Sequence, residues 1–207
     1  MRRFTNAWGR ALAIAAASTI ATAVPYAFAH DDADPHAHHH KMRDTITSTA
    51  DYTLPSVMLV RDDGQTVSLK NELDDGRPVV LTFIYTSCTS ICPVTSQTLS
   101  QMQRELGRDR DRVHIASISI DPEHDTPSRL REYATRFGAG PGWQHYTGTV
   151  AASIATQKAF NVYHEDKMNH NPVVLLRAAP GKPWLRIDGI ATADDLLHAY
   201  QNLVASN

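Results

Sequence analysis

The sequence predicts an α/β fold in which a central mixed sheet is flanked by helices and accompanied by an N-terminal hairpin. Three consecutive segments provide the main observations. Residues 79–85 form a near-continuous apolar run rich in branched and aromatic side chains, which is typical of a strand buried on both faces. Residues 94–106 then place apolar side chains at helical spacing, and residues 113–120 form a second apolar strand. Together these segments predict a β-α-β unit.

The segment before this unit predicts the hairpin. Residues 56–60 and 66–69 are two short strand-like runs, and they flank the turn sequence Asp62-Asp63-Gly64. We therefore expect a pair of antiparallel strands, joined by a glycine-containing turn, near the start of the folded domain.

The segments after the unit predict the rest of the sheet and its helices. Residues 127–137 and 150–160 are expected to be helical, and the first of them opens with a proline. Residues 173–176 and 184–187, separated by a Pro-Gly turn, predict a second hairpin. Residues 192–204 predict a closing helix with aspartates in its first turn. A β-α-β unit followed by a hairpin and a helix is the thioredoxin arrangement.

The first 29 residues do not fit this domain. Three arginines precede an uncharged apolar run at residues 11–24, and a small-x-small pattern then ends at Ala29. The apolar run is shorter than the about 20 residues that a bilayer-spanning helix needs. We therefore expect residues 1–29 to be a signal peptide and the protein to be periplasmic. The alternative is an uncleaved segment that anchors the protein in the inner membrane, facing the periplasm.

The charge balance argues against one class of partner. Of the 20 lysines and arginines, three lie in residues 1–29, which contain no acidic residue. The rest of the chain has 17 lysines and arginines and 22 aspartates and glutamates, so the exported chain has a net charge of −5 with its histidines neutral. Nucleic-acid binding calls for a basic face. We therefore expect no nucleic acid among the partners.

A histidine-rich segment follows at residues 30–44, and residues 45–207 are assigned to the thioredoxin-like domain. The segment is polar and lacks apolar periodicity, which predicts a disordered tail. Its clustered imidazoles predict a weak auxiliary site for divalent copper, zinc or nickel, and the alternative is a solvated tail without metal. The histidines of the tail are His30, His36, His38, His39 and His40.

The two cysteines of the chain, Cys88 and Cys92, follow the first buried strand. A disulfide between them would close a very small loop, and the stabilisation from a disulfide grows with loop length. A structural bridge is therefore a poor interpretation, and a redox pair or a metal site fits the spacing better. The thiols are separated by three residues rather than the two of the Cys-x-x-Cys redox motif. This spacing permits a disulfide and also suits two thiolates on one soft ion, Cu(I) or Zn(II).

Pro93 indicates how the second thiol is placed. Proline is favoured at the first helical position and disfavours helical geometry in the residue before it, so Cys92 is expected at the helix cap. The N–H groups and the dipole of the helix would stabilise a thiolate there. Cys88 would lie in the preceding loop, where a short turn can bring the two sulfurs together.

Two motifs, in this order, resemble those of the Sco/SenC family of copper proteins. The first is the Cys88-x-x-x-Cys92 pair followed by proline, and the second is Ser-Ile-Asp-Pro-Glu-His-Asp-Thr-Pro at 119–127. The similarity covers most of residues 51–204. It implies that the two cysteines and a histidine before the late hairpin, by position His170, bind copper. It also implies delivery of copper to the binuclear copper centre of cytochrome c oxidase.

The chain departs from the family pattern beside these residues. Thr89 and Ser90 stand where family members often have proline and aspartate, and Asn169 and Asn171 replace the usual acidic residue and serine around the histidine. The three ligands are kept. The changes concern the hydrogen bonds around them, which affect metal affinity and redox potential.

Four further residues near the motifs have suitable chemistry. Asp121 and Asp125 follow the second buried strand, where α/β sheets place their functional sites. We therefore expect them to contact the metal ligands without binding the metal themselves. The alternative for Asp121 is a turn with the next proline, and for Asp125 it is capping of the helix that begins at Pro127, with either Asp125 or Thr126 as the cap. His124 and Met168 can bind metals, but we expect neither to be a ligand.

Two functions from different classes remain open. The first is a periplasmic metallochaperone that carries Cu(I) or Cu(II) to a cytochrome c oxidase subunit or to another copper chaperone. It would meet the membrane only through its partner or through an uncleaved N-terminal segment. The second is a thiol–disulfide oxidoreductase, in which one thiol attacks a disulfide and the other resolves it. A ligand role for His170 favours the metallochaperone, because a dithiol reductant has no need of that histidine.

Overall fold

One eight-stranded mixed sheet organises the computed structural model, which describes residues 45–206. The strands are β1 (Ile46–Ala50), β2 (Met58–Arg61), β3 (Thr66–Ser68), β4 (Val79–Ile84), β5 (His114–Ser119), β6 (Trp143–Gly148), β7 (Val173–Arg177) and β8 (Trp184–Asp188). In space they follow the order β1-β8-β7-β4-β5-β6-β2-β3. The central strands β4, β5 and β6 are parallel, and all other neighbours are antiparallel. The predicted central mixed sheet is therefore present.

Five α-helices accompany the sheet. They are α1 (Leu69–Leu73), α2 (Ile91–Leu106), α3 (Pro127–Arg136), α4 (Val150–Ala159) and α5 (Ala193–Ala205), with 3-10 segments at Gly107–Arg112 and Lys167–Asn169. Threonines cap the last three α-helices, because the side chains of Thr126, Thr149 and Thr192 accept hydrogen bonds from first-turn amides. None of the helices within residues 45–206 is long and apolar enough to span a bilayer.

The hydrophobic core lies on both faces of the sheet. All six residues of β4 are buried, as the continuous apolar run predicts. Successive side chains of a strand point to opposite faces, so Val80 packs into one cluster with Leu99 of α2, and Leu81 packs into another with Phe160. Each such side chain contributes about 1.5–3 kcal/mol through burial. The two clusters hold β4, and therefore the loop that follows it, in a fixed position.

Two strands and one α-helix were not predicted from the sequence, and neither were the two 3-10 segments. Strand β1 is a polar edge strand, and β6 contains Gln144 and His145, so neither shows the apolar alternation of a half-buried strand. Helix α1 is a single short turn whose first residue, Leu69, we expected to end the hairpin. The strand in fact ends at Ser68. The remaining predicted strands and helices are confirmed with small changes at their ends.

The sheet topology brings three chain segments to one edge. Strand β4 pairs in parallel with β5 up to Ile84 and Ser119, so the loops after both strands begin side by side. Strand β7 pairs with β4 in the opposite direction, with Val174 beside Thr82, so the segment before β7 arrives at the same edge. The dithiol loop, the 119–127 motif and His170 therefore meet there.

Candidate metal centre

The dithiol loop joins β4 to α2 and lies against a small apolar cluster. Tyr85 is buried, and its carbonyl oxygen accepts a hydrogen bond of 3.1 Å from the Cys88 N–H, which turns the chain. The side chains of Cys88 and Cys92 are free thiols, 5% and 2% exposed, and they pack in one cluster with Ile84 and Leu130. The loop thus holds both thiols largely away from bulk water.

The start of α2 differs from the prediction. The helix begins at Ile91 with Ser90 as its N-cap, so Cys92 is the second helical residue and Pro93 the third. The expectation that Pro93 opens the helix and Cys92 caps it is wrong. The physical reason is that the N–H groups of the whole first turn lack intrahelical partners, so proline is tolerated throughout that turn.

This helix start determines which thiol is activated. The free N–H of Cys92 donates a hydrogen bond to the Cys88 Sγ at 3.4 Å. Burial acts to raise the pKa of Cys88, but hydrogen bonds with the side chain and backbone of Cys92 and with Ser90 outweigh it and lower the pKa to about 7. Burial raises the pKa of Cys92 far above its ordinary value, and Cys88 adds to the increase. Cys88 is therefore the thiol that ionises near neutral pH.

His170 lies between the 3-10 turn Lys167–Asn169 and β7. Its Nδ1 is 2.7 Å from the carbonyl oxygen of Lys167, so we assign the ring proton to Nδ1, which donates to that oxygen. The other nitrogen, Nε2, then presents its lone pair to the dithiol, 3.5 Å from the Cys92 Sγ. Burial lowers the pKa of His170, which favours the neutral imidazole that metal binding requires.

The structure brings Cys88, Cys92 and His170 together. Their ligand atoms all lie within 4.8 Å of one another, and within residues 45–206 no other group of three His, Cys, Asp or Glu side chains could hold a metal ion. Thiolate sulfurs are soft donors that select Cu(I) or Zn(II). Structural zinc takes four ligands, one more than this group supplies. The arrangement therefore suits a three-coordinate soft ion, and the two thiols could also form a disulfide.

Asp125 contacts the dithiol loop rather than the ligands. Its buried carboxylate accepts hydrogen bonds from the N–H and the hydroxyl of Thr86, the latter at 2.5 Å, and from the Ser119 hydroxyl at 2.6 Å. Asp125 therefore ties the loop, two residues before Cys88, to the end of β5. The capping alternative for Asp125 is wrong, because Thr126 alone provides the side-chain cap of α3.

Asp121 contacts the segment that bears His170. Its Oδ2 accepts a hydrogen bond of 2.5 Å from the Lys167 ammonium, and its Oδ1 is 3.0 Å from the His124 Nδ1. Burial acts to raise the pKa of Asp121, but Lys167 and His124 outweigh it and lower the pKa. His124 is largely exposed and faces Asp121, outside the group of ligand atoms.

Tyr85 and Lys167 are site residues that sequence reasoning missed. The Tyr85 ring packs edge-on against the His170 ring, with centroids 5.3 Å apart, and its hydroxyl donates to the Met168 Sδ at 3.2 Å. Burial raises the pKa of Tyr85 to about 12, so the hydroxyl keeps its proton. The place of Tyr85 at the end of an apolar run, three residues before Cys88, could have indicated its role. Lys167 offers no such local signal, because its partners are distant in sequence.

Two predicted features fall outside the described residues. These are the signal peptide and the histidine-rich tail, and both stay predictions. The tail histidines concerned are His30, His36, His38, His39 and His40.

Solved structures share the fold. The BsSco structure, described as that of a member of the Sco family of cytochrome c oxidase assembly proteins, has a TM-score of 0.63 and 23% identity and covers 78% of this chain and 99% of its own. Arabidopsis thaliana ScoI with copper bound has a TM-score of 0.61 and 24% identity, with coverage of 78% and 99%. At these identities the likeness concerns the fold, and it confirms the predicted thioredoxin-like arrangement.

Sequence comparison identifies the family. The SCO1 protein homolog of Bacillus subtilis is 26% identical over 162 residues, which cover 73% of this chain and 83% of that protein. The family model for SCO1/SenC matches residues 46–205, which is nearly the whole of the described domain. The chain therefore belongs to the SCO1/SenC family.

Proposed function

We propose that this protein is a periplasmic metallochaperone that binds copper through Cys88, Cys92 and His170 and delivers it during cytochrome c oxidase assembly. The main support is the approach of their ligand atoms to within 4.8 Å of one another. Membership of the family adds support, because Arabidopsis ScoI holds copper in its structure and BsSco is described as belonging to a family of oxidase assembly proteins.

Copper binding begins at Cys88 in this account. Its pKa of about 7 makes Cys88 the thiol that supplies thiolate near neutral pH, whereas the raised pKa keeps Cys92 protonated. The incoming Cu(I) therefore meets one thiolate, displaces the proton of Cys92 and gains the lone pair of the His170 Nε2. Metal binding releases protons for this reason, and affinity increases with pH until both thiols are ionised.

Delivery then proceeds by ligand exchange with the acceptor. His170 is the neutral ligand and is only half-buried, so the acceptor's ligands replace it before they replace the two thiolates. The acceptor is the binuclear copper centre of a cytochrome c oxidase subunit, or another copper chaperone. The protein meets the membrane through this partner or through an uncleaved N-terminal segment. The histidine-rich tail serves as a weak auxiliary site that collects divalent metal.

An anaerobic Cu(I) titration against a colour-forming chelator tests the copper site. The chelator outcompetes weak tail sites, so the reduced protein should retain one Cu(I) per chain. Replacing the ligands as Cys88→Ser or Cys92→Ser should lower Cu(I) affinity by roughly three orders of magnitude, since each removes a soft thiolate. A control is His198→Ala, which removes an exposed histidine on α5, outside the group of ligand atoms. Unchanged binding in the cysteine variants would contradict the proposal.

A thiol–disulfide oxidoreductase is the second candidate function. The activated Cys88, with the Cys92 N–H 3.4 Å from its sulfur, favours it, and the BsSco structure was described for its disulfide switch. In this reaction the Cys88 thiolate attacks a partner disulfide and releases one partner thiolate. Cys92 then gives up its proton and attacks the Cys88 sulfur, which forms the Cys88–Cys92 disulfide and releases the second partner thiolate.

The two candidates differ in their need for His170. For a metallochaperone, His170→Ala should strongly reduce Cu(II) binding and its transfer to the acceptor, while disulfide exchange continues at a similar rate. For an oxidoreductase, the same change should leave the biological activity intact or alter it through the dithiol reduction potential. Measuring copper transfer and the reduction of a model disulfide in parallel separates these outcomes.

A further inference from the structure

Lys167 contacts both the end of β5 and the imidazole of His170. Its ammonium donates to the Asp121 Oδ2 at 2.5 Å, and its carbonyl oxygen accepts the Nδ1–H of His170 at 2.7 Å. The same residue is thus fixed at its side-chain end and holds the ring at its backbone. The carbonyl fixes both the tautomer and the direction of the ring, and it leaves Nε2 facing Cys92.

Asp121 is a firm anchor for this contact. It is 5% exposed and lies two residues after the end of β5, which is paired with strands on both sides. Its N–H donates to the Ser119 hydroxyl at 3.0 Å, and its carbonyl oxygen accepts from the Asp125 N–H at 2.9 Å. The backbone of Asp121 is therefore held at the end of the sheet, and the carboxylate offers Lys167 a buried partner at a defined place.

The segment that bears His170 is short, and its own support is local, such as the hydrogen bond of 2.9 Å from the Met168 N–H to the Asp166 carboxylate. It is a single 3-10 turn, Lys167–Asn169, followed by extended backbone up to β7. Tyr85 forms the surface beneath it, with the Lys167 ammonium 5.6 Å from the ring centroid and the His170 ring packed edge-on. Packing against the Tyr85 ring alone would let the segment shift across the face of the ring. The ion pair with Asp121 fixes the position of the segment on that ring.

We infer that Asp121 and Lys167 are positioning residues, and that their ion pair holds the His170 Nε2 against the dithiol and so sets the Cu(II) affinity of the site. The inference rests on the proposed copper function. Two thiolates bind Cu(I) without help, whereas Cu(II) prefers nitrogen or oxygen ligands and depends on the imidazole. Breaking the ion pair therefore lowers Cu(II) affinity about tenfold, which is the effect typical of residues that orient a metal ligand through hydrogen bonds. Cu(I) affinity changes less than about threefold.

Three variants of the full chain test the pair. Lys167→Met keeps the aliphatic stem over Tyr85 and removes the charge, Asp121→Asn removes the opposite charge, and Lys167→Arg keeps the ion pair. The first two should each lower Cu(II) affinity about tenfold and shift the thiolate-to-Cu(II) charge-transfer band, and Lys167→Arg should restore both. Both single changes remove the same ion pair. The double variant, Lys167→Met with Asp121→Asn, should therefore lose no more Cu(II) affinity than the weaker-binding single variant. Additive losses, or Cu(II) affinity within twofold of wild type in Lys167→Met, would overturn the inference.

Lys158→Met is the matched control, because the Lys158 ammonium lies 5.0 Å from the Tyr163 ring centroid in a similar contact but outside the site. It should leave the charge-transfer band and Cu(II) affinity unchanged, and a loss equal to that of Lys167→Met would also overturn the inference.

A metal-free measurement separates this inference from the proposed function. Nuclear magnetic resonance follows exchange of the His170 Nδ1 proton with water, which is slowed by the hydrogen bond to Lys167. In Lys167→Met the exchange should accelerate by about threefold or more, since the segment opens more often. Unchanged exchange would overturn the positioning role. Absence of copper binding in the wild-type protein would refute the proposed function, and with it the role in Cu(II) affinity, but not the positioning of the ring.

Discussion

The dithiol loop and the His170 segment, which together form the proposed copper site, are held in place by different physical means. The loop lies between two long regular elements, β4 and α2. Local hydrogen bonds turn it, from the Cys88 N–H to Tyr85 and from the Cys92 N–H to Cys88, and Thr86 ties it to Asp125. The His170 segment contains one 3-10 turn, and its contacts with Asp121 and Tyr85 span 46 and more residues of sequence.

This difference teaches which ligand can be tuned or released. Both thiols pack in a buried cluster with Ile84 of β4 and Leu130 of α3, so displacing them disturbs buried packing. His170 is fixed by a few side-chain contacts at the edge of the sheet, and these can change without unfolding the domain. A metallochaperone needs such a division, because it must retain copper on some ligands while another ligand leaves.

Of the changes that test this difference between the two segments, His170→Ala should have the largest effect on copper affinity. We expect Cu(II) affinity to fall roughly 100-fold, because Cu(II) depends on the imidazole, whereas Cu(I) affinity should fall less than about tenfold because the thiolates remain. Competition titrations with both ions provide the measurement. The Cys88–Cys92 disulfide should still form, since exchange depends on thiolate fraction and access. A reduction potential that moves substantially while Cu(II) binding persists would assign His170 to a redox dithiol instead.

The second prediction concerns the inequality of the two thiols. Alkylation of Cys88 should be governed by a pKa of about 7, so its rate rises about tenfold between pH 6 and pH 8 as the thiolate forms. Cys92 should react far more slowly over this range, because burial raises its pKa. Mass spectrometry of alkylated peptides distinguishes the two. Equal alkylation rates for the two cysteines would mean that the Cys92 N–H does not stabilise the Cys88 thiolate. A pH profile for Cys88 with its midpoint above about pH 8.5 would mean the same.

The sequence allowed the dithiol loop to be predicted far better than the His170 segment. The apolar run of β4 and the helical spacing of α2 are local patterns, so the position of Cys88 and Cys92 at a strand–helix junction followed from them. The predicted helix start was wrong by two residues, because proline is tolerated at several positions of the first turn. His170 could be singled out only through the family resemblance, and the role of Lys167 required the folded sheet to bring it beside Asp121.

Thr86→Val should have the smallest effect on copper affinity, because it weakens the contact between the dithiol loop and Asp125 and leaves the ligands in place. The change removes a hydroxyl that donates to the buried Asp125 carboxylate at 2.5 Å and keeps the side-chain shape. We expect a loss of about 2 kcal/mol in the free energy of unfolding, since a hydrogen bond to a charged group is lost. Cu(I) affinity should change less than about threefold, because the Thr86 N–H still bonds to Asp125 and the core holds the thiols.

Thr135→Val is the matched control for the stability measurement. Its hydroxyl donates to a helix carbonyl on an exposed face of α3. The free energy of unfolding should change by no more than about 0.5 kcal/mol. If Thr86→Val destabilises the protein no more than this control, Asp125 does not support the loop in the way described.

X-ray absorption at the copper edge tests the central claim most directly. The reduced, Cu(I)-loaded protein, prepared with one copper per chain, should show two sulfur neighbours and one nitrogen neighbour from Cys88, Cys92 and His170. The His170→Ala variant should lose the nitrogen neighbour and keep both sulfurs. A copper ion surrounded by nitrogen and oxygen alone, or a wild-type spectrum that the His170→Ala variant reproduces, would contradict the account.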